Sequence, residues 1–197
     1  MRHKRSLQPE YFEGIFAGSI DPWEFETSAY EKAKHDHTIA VLSGARYQRG
    51  LEIGCATGVL TTRLGTLCDT LLAIDVSSSA LTQAQARCAD QTHIGFQQMN
   101  FPTSTPTEAA FDLIVISEVA YYWDDRDLAL AGRWLGRNLA PGGSLLLVHF
   151  TGETDYPQTA DGAVEGLRQA LGDRVEEADT THCPGYRLDL WRRRPWA

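Results

Sequence analysis

From position 49 onward, short apolar runs alternate with segments of helical periodicity, and no other feature of the chain restricts its fold as much. Strands separated by helices cannot pair as hairpins and instead build an α/β sheet with helices on both faces. The runs RGLEI, TLLAIDV, IGFQQM, FDLIVIS and SLLLVHF predict five strands. Between them, VLTTRLGTL, SALTQAQARCA and a segment with Leu128, Ala131, Leu135 and Leu139 at helical spacing predict helices. Ser77 or Ser78 is placed to cap the second helix, Asp124 or Asp125 to cap the third, and APGG to end it with breakers. A helix is expected near GAVEGLRQAL, followed by RVEEADT and YRLDLWRR, an antiparallel pair at one sheet edge split by the turn at Pro184 and Gly185. The expected fold is α/β and Rossmann-like: a doubly wound, mostly parallel sheet of seven strands with the last strand antiparallel.

About 45 residues precede this pattern and differ in texture, with aromatic residues in YFEGIF and DPWEF and a helix expected from about Ser28 to Leu42. Ligands of open α/β sheets bind at the carboxyl ends of the strands, and a leading segment of this kind can fold over them. Residues 1–45 are thus a candidate helical lid on a 46–197 core, within one domain overall. The plainer expectation is that Trp23, Phe25 and Tyr30 only pack on the sheet.

The formal net charge of -8 disfavours nucleic acid and anionic membranes as partners and suits a neutral or cationic small molecule. No window approaches the roughly 18 consecutive apolar residues of a membrane span. The start, MRHKRSLQPE, has the charge of a signal peptide without its apolar core, so a cytoplasmic location is expected. Cys55, Cys68, Cys88 and Cys183 lack a CxxC pair and read as reduced thiols. His35 and His37 are two apart, out of register for one helix face, so no metal is assigned.

The glycine turn LEIGCATGVL at 51–60 poses the functional question. A triphosphate loop needs lysine and then serine or threonine after its last glycine, but Val59 and Leu60 follow Gly58. A dinucleotide turn needs a middle glycine, where this chain has Ala56, and a third glycine that is missing. What remains is Glu52-x-Gly54-x-Ala56-x-Gly58, with Asp75 closing the next strand about twenty residues on. That arrangement suits a nucleoside whose ribose diol Asp75 grips, with no phosphate at the turn. S-adenosylmethionine is such a ligand. MNFP sets Asn100 and Phe101 after the third strand, where an adenine is stacked and read; SEVAYYWDD follows the fourth strand, and LAPGGSLLL leads into the fifth.

Together these motifs resemble those of the Rossmann-fold S-adenosylmethionine-dependent methyltransferases. With DPWEF, YEKAKHDHTIAVL and FDLIVISEVAYYW added, the chain is similar to the nodulation protein S family, small enzymes that N-methylate the free amine of a de-N-acetylated chitooligosaccharide. The resemblance implies a cofactor site of Trp23, Tyr30, Glu52, Gly54, Cys55, Ala56, Gly58, Asp75, Val76, Asn100, Phe101, Glu118 and Tyr121. Asn100 departs from the aspartate of many methyltransferases, though its amide oxygen can still accept from adenine.

Methyl transfer is an in-line displacement in which positioning dominates, and an amine nucleophile must first lose a proton. Glu118, just past the fourth strand, and His149, just inside the end of the fifth, are the candidate bases. The plain alternatives are a carboxylate that only orients and a hydrogen-bonded strand-end histidine. Tyr121 and Tyr122 are candidates to face the sulfonium. For the cofactor carboxylate, the backbone N–H groups at Gly54 and its neighbours are expected, with Lys34 or His35 adding charge unless Lys34 is simply solvated. The expected activity is methylation of a small-molecule amine. The rivals are O-methylation, a nicotinamide-dependent oxidoreduction and a non-catalytic cofactor-binding module.

Overall fold

The computed structural model describes residues 2–107 and 110–195. Its seven strands lie in the order β3-β2-β1-β4-β5-β7-β6. The chain divides into two compact units, Gln8–Met99 and Met1–Leu7 with Asn100–Ala197.

The Gln8–Met99 unit holds α1 (Pro9–Gly18), α2 (Ala29–Leu42), β1 (Tyr47–Ile53), α3 (Val59–Gly65), β2 (Cys68–Asp75), α4 (Ser78–Arg87) and β3 (Ile94–Gln98). β1 and β2 pair in parallel with Leu51 opposite Leu72, and β2 and β3 with Asp75 opposite Gln98. Ser28 caps α2 by accepting from Glu31 N–H, and Ser77 caps α4 by accepting from Ala80 N–H. α1 has no counterpart in the sequence reading. Pro9 starts it, but Phe16 is its one buried residue, so it has little apolar periodicity to detect.

The second unit holds β4 (Phe111–Ser117), α5 (Asp125–Asn138), β5 (Leu139–Phe150), α6 (Ala160–Leu171), β6 (Val175–Cys183) and β7 (Tyr186–Arg193). Leu113, Ile114, Val115 and Ile116 are all fully buried, as a parallel strand covered on both faces requires. β4 and β5 are parallel, while β7 runs antiparallel to both β5 and β6. Asp124 caps α5 and Thr159 caps α6. The two helices approach closely at Gly132, where a Cβ would come 2.3 Å from that of Ala170.

One boundary differs from expectation. α5 ends at Asn138 and β5 begins at once, with Leu139 opposite Phe111. Pairing resumes at Ser144 opposite Leu113, so Ala140–Gly143 bulge out inside the strand, with Gly142 at φ 74°. The proline and glycines therefore shape a bulge rather than a separate loop. Among the described residues, no helix is long and apolar enough to cross a membrane.

Candidate functional site

In the Gln8–Met99 unit the glycine turn joins β1 to α3. Gly54, Ala56 and Gly58 have φ of 81°, 47° and 80°, all in the left-handed region. At Gly58 a Cβ would also lie 2.9 Å from the Ala84 Cα, so this position needs glycine twice over. Ala56 adopts the conformation without glycine's freedom, and its N–H donates to Asp75 Oδ2 at 2.9 Å.

The turn corrects one expectation. The N–H groups of Gly54 and Cys55 donate to the Ile74 carbonyl, that of Ala56 to Asp75, and that of Gly58 to the Cys55 carbonyl. A turn this tight wraps its own donors back onto β2, so these four are not held ready for a ligand carboxylate. Arg87 of α4 braces the turn by donating to the Thr57 carbonyl at 2.8 Å, and pairs with Glu26.

Asp75 ends β2, accepting from Ser77 N–H at 2.9 Å as well as from Ala56. Burial pushes its carboxyl above the usual range, and the N–H groups of Ser77, Ala56 and Val76 oppose that. Each carboxylate oxygen can accept more than one hydrogen bond, so both retain capacity toward a diol. The Val76 carbonyl accepts from the Gln98 side chain. Cys55 is buried and its thiol is pushed well up by the loss of solvent.

Glu52 is 1% exposed, and burial pushes its carboxyl up to about 8, with Asp75 adding to the rise and Thr61 opposing it. Its Oε2 and the Thr57 hydroxyl are buried without a hydrogen-bond partner. Orphaned polar atoms carry a cost of about 1–3 kcal/mol each.

The leading helices supply the rest of this unit. Trp23 packs on Phe16 at 5.2 Å and on Phe25 at 5.7 Å, a small aromatic cluster. Lys34 is not solvated: it is 2% exposed, pairs with Glu31 at 2.9 Å and lies over the Tyr30 ring. His35 is buried beside Glu31. Glu13 of α1, which sequence reasoning missed, accepts from the hydroxyls of Ser77 and Ser79 at 2.7 and 2.5 Å, and these serines draw its carboxyl down to about 2. α1 is thereby fastened to the start of α4, next to Asp75.

In the second unit, Glu118 follows β4 with φ 59°, a strained conformation for a residue with a side chain. Its Oε2 accepts from the Tyr121 hydroxyl at 2.5 Å and from Phe150 N–H at 2.9 Å. His149 is fully buried and its Nε2 accepts from Ala120 N–H at 3.2 Å, which is the strand-end histidine geometry. Tyr121 and Tyr122 are buried edge to face at 4.7 Å, and burial holds both phenols well above their usual range. Asn100 is exposed, whereas Phe101 is not an open platform: its buried ring is closed off by Trp123 at 5.5 Å and Trp134 at 5.3 Å. Any ligand contact of Phe101 therefore goes through its backbone.

The model of the family Nodulation protein S (NodS) matches residues 17–151. The chain belongs to the NodS family. Nodulation protein S of Sinorhizobium fredii is 30% identical over 170 residues, 84% of this chain and 77% of that protein. The crystal structure of the N-methyltransferase NodS from Bradyrhizobium japonicum with S-adenosyl-L-homocysteine is similar at a TM-score of 0.79 and 27% identity, covering 93% of this chain and 97% of that one. A putative methyltransferase from Pseudomonas syringae matches at a TM-score of 0.73 and 34% identity, over 84% of this chain and 100% of that one. This NodS-family chain is an S-adenosylmethionine-dependent methyltransferase with a small-molecule acceptor.

Proposed function

We propose that this NodS-family enzyme methylates an amine nitrogen of a small, neutral or cationic acceptor, with Glu118 taking the ammonium proton and no metal taking part. The observation that carries this reading is the Glu118 carboxylate, kept in a strained backbone conformation and held at Oε2 by the Tyr121 hydroxyl and Phe150 N–H. Strain of this kind costs about 1–3 kcal/mol and persists where its surroundings over-determine it, commonly at a working residue. The net charge of -8 favours the same acceptor class.

Asp75 would hold the ribose diol of the cofactor, and Glu52 with Thr57 the polar groups of its amino-acid end. A carboxyl with a buried oxygen lacking a partner is well matched to the cofactor's ammonium. Bound there, the cofactor supplies an electrophilic methyl whose leaving thioether needs no acid. The chain's own work is then positioning and proton removal. An N–H bond of the acceptor breaks, its electron pair returns to nitrogen as the nucleophile, and the proton goes to the Glu118 carboxylate. Glu118 is preferred to His149, whose Nε2 is engaged by Ala120 N–H in full burial. The aromatic cluster of Trp23, Phe16 and Phe25 with Glu13 on Ser77 supports a lid role for the leading helices. A de-N-acetylated chitooligosaccharide is the acceptor to try first, as the resemblance to NodS suggests.

Calorimetric titration with S-adenosylhomocysteine, with NAD in parallel, tests the cofactor; heat from NAD alone, or from neither, overturns it. Transfer of labelled methyl to a panel of amines and alcohols then tests the acceptor class, and transfer to alcohols alone would replace the N-methylation reading. Glu118→Gln is expected to lower turnover about 10²–10⁴-fold while cofactor affinity stays within about twofold. Unchanged turnover would remove Glu118 as the proton acceptor.

A further inference from the structure

We propose that Tyr156, on the loop after β5, is a positioning residue for methyl transfer: its ring, stacked on Tyr121, fixes the phenol that holds the Glu118 carboxylate. The proposal rests on the reading of Glu118 as proton acceptor.

Tyr156 stacks on Tyr121 with centroids 5.3 Å apart and planes 19° from parallel, and meets Tyr122 edge-on at 4.7 Å. Tyr121 is in turn packed against His149 at 5.4 Å. The Tyr121 ring is thus held by three aromatic neighbours, and the one group it delivers is the hydroxyl on Glu118 Oε2. The stacked Tyr156 face limits how far the Tyr121 ring can tilt and so keeps its hydroxyl on the carboxylate.

The loop that carries Tyr156 is itself tied down. Gln158 N–H donates to the Tyr121 carbonyl at 3.1 Å, and the Gln158 side chain to Asp125 at 2.8 Å. From the other side, residues Arg2–Leu7 form a strap. Arg2 donates to the carbonyls of both Tyr156 and Gln158 at 2.8 Å, and His3 N–H to that of Asp155 at 2.7 Å. Ser6 accepts from Asp124 N–H and donates to Asp127, and Leu7 N–H donates to the Tyr122 carbonyl at 3.0 Å. One six-residue segment therefore joins the turn bearing Tyr121 and Tyr122 to the loop bearing Tyr156. This is an arrangement suited to holding the two tyrosine faces in fixed register.

The test compares kcat, KM and S-adenosylhomocysteine affinity in the full chain and its tyrosine variants. Turnover is read on a de-N-acetylated chitotetraose with labelled S-adenosylmethionine. Tyr121→Phe removes the donor and is expected to lower kcat about tenfold with KM within about twofold. Tyr156→Ala is expected to lower kcat by the same factor, with KM and S-adenosylhomocysteine affinity within about twofold. Tyr156→Phe keeps the stacked ring and is expected to restore kcat to within about threefold of the parent. If Tyr156→Ala does not fold, Tyr156→Leu fills the volume without an aromatic face, and the same pattern is required of it. A kcat that falls in Tyr121→Phe but not in Tyr156→Ala or Tyr156→Leu overturns the proposal and leaves Glu118 in place. Full turnover in Glu118→Gln overturns the parent reading instead.

Discussion

Glu52→Gln is the perturbation whose consequence is worked most directly from the structure. The substitution keeps the shape of a fully buried side chain and removes its titration. In the folded chain burial pushes this carboxyl from 4.5 to about 8. That displacement corresponds to about 5 kcal/mol, taken at about 1.36 kcal/mol per pH unit, as an upper bound. Below pH 4.5 Glu52 is protonated in folded and unfolded chains alike, and its folded environment exacts no penalty. Between 4.5 and about 8 only the unfolded chain releases the proton, so stability falls as pH rises, and above about 8 the loss is complete. The variant lacks this slope. A thermal melt series from pH 5 to 8.5 is therefore expected to show Glu52→Gln gaining on the parent by about 1.4 kcal/mol per pH unit near the middle of the window. For a chain of this size that is about 3–5 °C in Tm per pH unit. Repeating the series with saturating S-adenosylhomocysteine is expected to flatten the parent's slope, because a ligand ammonium stabilises the ionised carboxylate. Parallel Tm curves for parent and variant across the whole range would refute the argument.

Other consequences follow from the same unit. Asp75→Ala is expected to abolish S-adenosylhomocysteine binding in calorimetry, and an unchanged Kd would refute the ribose assignment; a melt alongside separates this from the loss of acceptors for Ala56 and Ser77 N–H. Gly58→Ala places a Cβ 2.9 Å from the Ala84 backbone at φ 80°, so chemical denaturation is expected to show a loss of about 2–4 kcal/mol. A loss below about 1 kcal/mol would mean the turn and α4 separate more easily than their packing implies.

The correspondence between sequence and structure is closest where a signal is local. The β4 segment FDLIVIS is a strand over the residues expected, because a parallel strand buried on both faces needs a continuous apolar run. Ser28, Ser77 and Asp124 are caps because a short oxygen side chain before a helical pattern is itself the device that starts the helix. The candidate site was legible to the same extent. Gly54, Gly58, Asp75 and Glu118 stand at strand ends, where chemistry is written into short motifs. Lys34 shows the limit: helical spacing does not distinguish a solvated face from a buried one when the charge is neutralised by Glu31 one turn away. Phe101 shows it again, since only its partners Trp123 and Trp134 decide that its ring belongs to the core.

The sequence by itself determined the alternation of strands and helices, a glycine turn without the residues of a triphosphate or dinucleotide loop, and the acidic residues at the ends of β2 and β4. These depend on backbone conformation and on neighbours within a few positions. Only the tertiary structure decided which donors the turn keeps for itself, that Glu13 fastens α1 to the serines beside Asp75, and that Tyr156 and Arg2–Leu7 converge on Tyr121 and Tyr122. The turn's own donors aside, such contacts join residues more than thirty and up to 156 positions apart, and no periodicity along the chain encodes them. They exist because folding brings separate segments within hydrogen-bond and stacking distance, where a few ångströms settle each group's role.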